Sequence, residues 1–219
     1  MKTTPPYQHQ LHYQITQTDY SALRTRLTAS APAVRSACGI HMLCFSSCLP
    51  SWDEPQFALY YYDNDPTYLL LERWLDTSRT STMVAEAECR ALLSGETDWL
   101  LERCNPVLRD FHDGLTQRLL LPHVMLTFHR EVYALDGLDL WVALDSDVRS
   151  SLEHMDFLDP ELLARDTAGQ EGSCRLEISY SDAVAIPDEV LCLLAETAPR
   201  RRPLSGTRPI VRRQIAAYT

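Results

Sequence analysis

HVMLTFHREVYAL (His123–Leu135), DG (Asp136–Gly137) and LDLWVALDSDVR (Leu138–Arg149) form the stretch that decides the fold. Asp-Gly between two alternating runs is a strong β-hairpin signal, because both residues accept the left-handed backbone of a tight turn. Alternate side chains of a strand point to opposite faces. In the second run Leu138, Leu140, Val142 and Leu144 share one face, and Asp139, Trp141, Ala143, Asp145, Asp147 and Arg149 share the other. In the first run Arg130 lies among Val124, Leu126, Phe128 and Val132. A charge among large apolar groups must be paired or functional if the face is buried.

Working outward, the same mixture recurs. Ser173–Tyr180 sets Cys174, Leu176, Ile178 and Tyr180 against Ser173, Arg175, Glu177 and Ser179. Thr67–Trp74 places Glu72 among Tyr68, Leu70 and Trp74. Two readings remain open. The charged faces are the wet side of an antiparallel sheet, or they line a barrel or tunnel with arginines and carboxylates.

The other elements read as follows. His9–Ile15 is a strand, and Thr18 or Asp19 caps a helix to about Thr28. Ala29–Ser36 is a linker, Gly39–Ser46 a strand, and Phe57–Asp63 a strand that turns through Asn64, Asp65 and Pro66 into Thr67–Trp74. Val84–Leu93 has helical spacing and stops at Gly95. Asn105 and Pro106 open a helix to about Arg118. Pro187–Ala198 reads as a helix, and an arginine-rich tail follows.

Composition narrows the function. The 219 residues carry a net charge of −10. That argues against a nucleic-acid binder, because phosphate neutralisation needs a basic face. Lys2 is the sole lysine, so a Schiff-base or P-loop lysine is excluded within the fold. No glycine-rich phosphate loop and no G-x-S-x-G elbow occurs. Seven irregularly spaced cysteines read as free thiols in a reducing, cytoplasmic setting. His9 with His12, and His41 with Cys44 and Cys48, have zinc-like residue types, but strand alternation separates them. No signal peptide is expected, and no apolar run approaches the roughly 20 residues that span a bilayer. The expected organisation is one domain over residues 1–219. Its expected class is α+β: an antiparallel β-tunnel, barrel or strongly curved sheet, with helices packed outside.

These residues resemble the vacuolar transporter chaperone (VTC) domain, the polyphosphate polymerase-like branch of the triphosphate tunnel metalloenzymes. The matching pieces are His9–Ile15 with Asp19–Leu23; Leu69–Glu72; Ala91–Gly95 through Leu100–Arg103; Leu121–Val124; Phe128–Tyr133; Val142–Asp145 with Arg149; Leu176–Tyr180 with Pro187; and Arg200–Ser205. The resemblance implies a closed tunnel whose basic residues grip phosphates while carboxylates hold Mg²⁺ or Mn²⁺. It implies phosphoryl transfer from a nucleoside triphosphate to polyphosphate, chemistry made mostly of positioning and charge neutralisation. Carried over, Arg130, Arg149 and Ser205 are the catalytic candidates, and Glu72, Asp145 and Glu177 the metal-ligating ones.

Departures from the pattern cluster where the chemistry would be. Gln10 and His12 stand at the opening E-x-K, and His41, Leu43, Phe45 and Ser46 in a strand that has lost its charges. Ala58 and Tyr60 fall where arginines pair, Trp74 and Ser179 stand at lysine positions, and Gly206 and Thr207 replace the closing lysine and tyrosine. Two arginines cannot balance the roughly four charges of a triphosphate while three carboxylates oppose it. A divalent cation would partly reverse that sign. Without one, Arg130 and Arg149 would pair with Glu177, Glu72 and Asp145 as a structural ion network. The expectation is a tunnel domain with an eroded site that binds at most a divalent metal or small anion. The alternatives are an active metal-dependent phosphotransferase acting on a nucleoside triphosphate or polyphosphate, and a non-enzymatic interaction module.

Overall fold

In a computed structural model of the chain, strands form wherever the period-2 runs lie. The residues described are 9–30, 34–47, 55–63, 65–75, 78–134, 140–152, 157–159, 173–180 and 202–203. They fall in two compact units. One takes residues from Met1–Cys38, Phe128–Arg149 and Gly169–Thr219; the other takes Gly39–Thr127 and Ser150–Ala168. Both are antiparallel sheet plus helix, so the fold class is α+β.

The elements in chain order are β1 (His9–Ile15), α1 (Gln17–Ser30), β2 (Val34–Ser46), β3 (Gln56–Tyr62), β4 (Asp65–Leu75) and β5 (Ser78–Val84). Then come α2 (Glu86–Leu93), α3 (Trp99–Glu102), α4 (Pro106–Gln117), β6 (Leu121–Ala134), β7 (Leu140–Ser151), β8 (Ser173–Tyr180) and β9 (Arg202–Pro203). The first unit has the strand order β6-β7-β8-β1-β9, and the second β5-β4-β3-β2-β6. The long strands β2, β6 and β7 contribute to both.

In the first unit, Tyr20, Leu23 and Leu27 of α1 pack on Ile15, Tyr133, Leu140, Val142, Leu144, Cys174, Leu176 and Ile178. The alternation seen in β7 and β8 therefore puts their apolar face under the helix. Helix α1 is capped by Thr16, earlier than the sequence suggests. Thr16 Oγ1 donates to Asp19 Oδ2 at 2.7 Å and accepts from the Asp19 amide at 3.1 Å. This is a reciprocal capping arrangement.

In the second unit, α2, α3 and α4 cover one face of the sheet. Leu43, Phe45, Phe57, Leu59, Tyr61, Leu69 and Leu71 meet Cys89, Leu92, Leu100, Val107, Leu108 and Phe111 there. Helix α4 starts as expected. Asn105 Oδ1 accepts from the amides of Val107 at 2.9 Å and Leu108 at 3.3 Å. Pro106 follows where no amide is needed. Asn105 Nδ2 also donates to Thr82 Oγ1 at 3.0 Å, tying the cap to β5. Asn105→Ala should cost about 0.5–2 kcal/mol, read as a lower urea midpoint. Asn105→Asp should keep the amide bonds, and the Thr82 hydroxyl should turn to donate to the carboxylate in place of the lost Nδ2 donor.

Strand β5 has no counterpart in the sequence reading. Its SRTSTMV pairs with β4 alone, at the edge of the second unit's sheet. Little there selects for apolar alternation. Val84, read as the start of a helix, is the last residue of β5. Helix α2 begins at Glu86, and Glu88 Oε2 accepts from the Ala85 amide at 2.8 Å. The linker read over Ala29–Ser36 is also shorter, with α1 ending at Ser30 and β2 beginning at Val34. The helix read over Pro187–Ala198 lies outside the described residues. Among the described residues, no helix is long and apolar enough to cross a membrane.

Candidate functional site

Strand β8 is buried on both faces. Cys174, Leu176 and Ile178 face α1, and on the other side Arg175, Glu177 and Ser179 are 6%, 8% and 7% exposed. The register puts Ala143 and Asp145 of β7 opposite Glu177 and Arg175. Asp145 is 1% exposed. On β6, Tyr133 belongs to the core under α1, so Arg130, of the opposite parity, shares the polar face with β7 and β8. The wet-sheet reading therefore fails for these residues, because their charges are enclosed.

Arg130 is the hub. Its Nε donates to Asp145 Oδ1 at 2.6 Å, and its Nη2 donates to Asp145 Oδ2 at 2.9 Å and to Glu177 Oε2 at 3.0 Å. Ser179 Oγ donates to Glu177 Oε1 at 3.2 Å. All four carboxylate oxygens thus accept a hydrogen bond. Arg130 also lies over the Phe128 ring, 5.4 Å from its centroid, close enough for a cation–π contact. The described side chains of this face include two arginines, Arg130 and Arg175, and two carboxylates, Asp145 and Glu177.

The other candidates are placed as follows. Glu72, 3% exposed, belongs to the second unit. Arg79 Nε donates to its Oε2 at 2.9 Å, and Arg79 Nη2 donates to its Oε1. Arg149 misses the polar face because of a bulge. Asp145 pairs with Arg175, yet Val148, not Asp147, pairs with Ser173. One extra residue reverses which face each later side chain takes. Asp147 absorbs the turn at φ 51°. Arg149 Nε donates to Asp147 Oδ1 at 3.0 Å, with both side chains more than a third exposed. Ser205 lies outside the described residues. Within the first unit, the structure brings together the candidates Arg130, Asp145 and Glu177.

Two ion pairs, Arg79–Glu72 and Arg24–Glu131, escaped the sequence reading. Arg79 sits on the polar edge strand, where nothing marks it. On the α1 face of the first unit, Arg24 Nε donates to both oxygens of Glu131, at 3.0 and 2.8 Å, and the Tyr133 hydroxyl donates to Glu131 Oε2 at 2.8 Å. The Arg24 bonds hold the Glu131 carboxyl below its ordinary range against the opposing effect of burial, and burial first of all pushes the Tyr133 hydroxyl up. The available signal was parity, since Glu131 and Tyr133 share a face of β6.

Mg²⁺ and Mn²⁺ take hard oxygen donors in near-octahedral sets. Asp145 and Glu177 supply oxygens, but the guanidinium of Arg130 occupies the place between them. Among the described residues, no three His, Cys, Asp or Glu side chains gather to hold a metal. The donor set as folded does not fit a divalent cation. His41 and Cys44, both buried, occupy opposite parities of β2.

No family model and no curated protein sequence matches the chain. Solved structures do resemble it. An adenylyl cyclase candidate from Hippeastrum with a dominant triphosphatase activity aligns at TM-score 0.57 and 12% identity, covering 90% of this chain and 90% of that one. An adenylate cyclase candidate from Bacillus halodurans aligns at 0.55 and 10% identity, covering 93% and 95%. The Mediator head module of Schizosaccharomyces pombe supplies a third likeness, at 0.51 and 5% identity, covering 87% and 90%. At such identities the likeness is one of fold. It supports the tunnel fold and does not single out the polyphosphate polymerase branch.

Proposed function

We propose that this chain is a VTC-like tunnel-fold domain whose catalysis is eroded and whose enclosed charges serve the architecture. One observation carries the reading: Arg130, the retained tunnel arginine, is committed to Asp145 and Glu177 at distances from 2.6 Å to 3.0 Å. Phosphoryl transfer needs a surplus of positive charge aimed at the phosphates. Here the described cations of the face are balanced by carboxylates, which leaves capacity for at most a small anion.

The triphosphatase activity of the Hippeastrum protein keeps an active phosphotransferase as the competing reading. The presence of a comparable fold in the Mediator head module favours the third, a domain that works by assembling with other proteins. The deciding experiment incubates the full chain with ATP, GTP and tripolyphosphate, each with Mg²⁺ or Mn²⁺. The expected result is no release of phosphate or pyrophosphate, no polyphosphate growth, and no rise in Tm with Mn²⁺ alone. Metal-dependent turnover by the unmodified chain overturns the proposal. A Tm raised by tripolyphosphate without turnover marks the residual anion capacity.

A further inference from the structure

His41 takes no part in the ion cluster, and it is oddly placed. It sits on β2 directly opposite Tyr61 of β3, 3% exposed. Its ring meets Tyr61 edge-on, 5.4 Å between centroids at 83°, and Tyr61 in turn meets Phe157 at 6.4 Å. Its Nδ1 is buried and has no hydrogen-bond partner among the described residues. Buried polar atoms are nearly always satisfied, so one that is not calls for an explanation. A phenylalanine would pack there with no polar atom stranded.

An acceptor is held nearby. Gly39 precedes His41 by two residues and shares its parity. A Cβ on Gly39 would fall 2.3 Å from Asp63 Oδ2, so the Asp63 carboxylate lies over the same face as the imidazole. The Asp63 amide donates to the Gly39 carbonyl at 3.1 Å, which fixes it at that end of β2. We propose that His41 is an acid-sensitive latch of the second unit: on taking a proton, the ring leaves the edge of Tyr61 and turns to Asp63, loosening the β2–β3 corner.

Among the described residues, the charged and titratable groups acting on this corner are Asp63 beyond β3, Asp159, the Tyr61 hydroxyl, and Glu86 of α2 through its effect on Tyr61. Burial holds the imidazole below its ordinary value, with Asp63 and Asp159 opposing. For a base whose folded value is lowered, the stabilisation is present above the unfolded value of about 6.5 and is lost as pH falls from there through the folded value. The latch is therefore closed at neutral pH and opens under mild acid.

The test compares thermal unfolding of the full chain at about pH 7.5 and about pH 5.5, for wild type, His41→Phe, His41→Gln and, as a control, His123→Gln. Wild type and His123→Gln should lose several degrees of Tm on acidification, and the His41 variants should be spared most of that loss. Imidazole NMR of the wild type should show His41 titrating below the ordinary histidine value of about 6.5, and lower still in Asp63→Asn. The proposal is overturned if wild-type Tm is flat over this range or if His41→Phe falls as far as wild type. It is equally overturned if His41 titrates at the ordinary value, a reading that holds even where a variant fails to fold.

Discussion

Phe111→Ala should destabilise the protein by about 3–5 kcal/mol, which for a chain of this size lowers Tm by roughly 6–20 °C. Phe111 is fully buried on α4. Its ring meets Phe45 at 4.9 Å and 79° and Phe57 at 5.0 Å and 48°. The cost of such a deletion depends on how far the surroundings can collapse into the space. Here they are held on both sides. Phe45 and Phe57 are register partners in the β2–β3 ladder, and α4 is anchored at its start by Asn105. The cavity should therefore stay open and the penalty fall at the upper end. Phe111→Leu, which keeps most of the volume, should lose clearly less. The check is the urea midpoint at unchanged m-value, so that the loss is one of stability and not of compactness. A change within about 0.5 kcal/mol, the ordinary effect of a surface substitution, would show that this core is not packed as described.

Much of the fold was legible because period-2 burial leaves a plain trace. The apolar parities of β7 and β8 face α1 as their sequences indicate, and the Asn105-Pro106 start of α4 follows from which amides lack partners. Arg130 was legible for the same reason, since a charge on an apolar parity needs a partner. The partners themselves were less so. Strand β5 is a polar edge strand, so Arg79 carried no sign that it would reach Glu72. The bulge after Asp145 leaves little trace either, because Ser146 and Asp147 look like any polar pair. Aspartate tolerates a positive φ better than most residues do, and Asp147 adopts one, at 51°. That one inserted residue is why Arg149 leaves the polar face while Asp145 keeps it. A site assembled across strands depends on register, and a bulge shifts register without altering the hydrophobic pattern on either side of it.

Arg130→Leu should cost about 3–5 kcal/mol, because it takes the guanidinium away from two enclosed carboxylates. Asp145 would lose both of its Arg130 bonds, and Glu177 the one that Arg130 Nη2 donates to it. Arg130→Lys restores the charge but not the fork that reaches both carboxylates at once, so it should recover part of the loss only. Replacing the whole cluster separates architecture from ligand binding. Arg130→Met, Arg175→Met, Asp145→Leu and Glu177→Met together remove all four described charges of that face, and buried ion clusters exchanged for apolar groups of similar volume are often neutral or stabilising by about 1–4 kcal/mol. The quadruple variant should therefore be far more stable than Arg130→Leu alone and close to the wild type in urea midpoint. If the cluster instead exists to grip phosphate, Arg130 is kept there at the expense of stability. Arg130→Leu would then fold almost normally and lose a tripolyphosphate-induced rise in Tm. A single variant as stable as the wild type, or a quadruple variant as unstable as the single one, would end the architectural reading, because charges that hold a sheet together can be neither individually dispensable nor collectively irreplaceable.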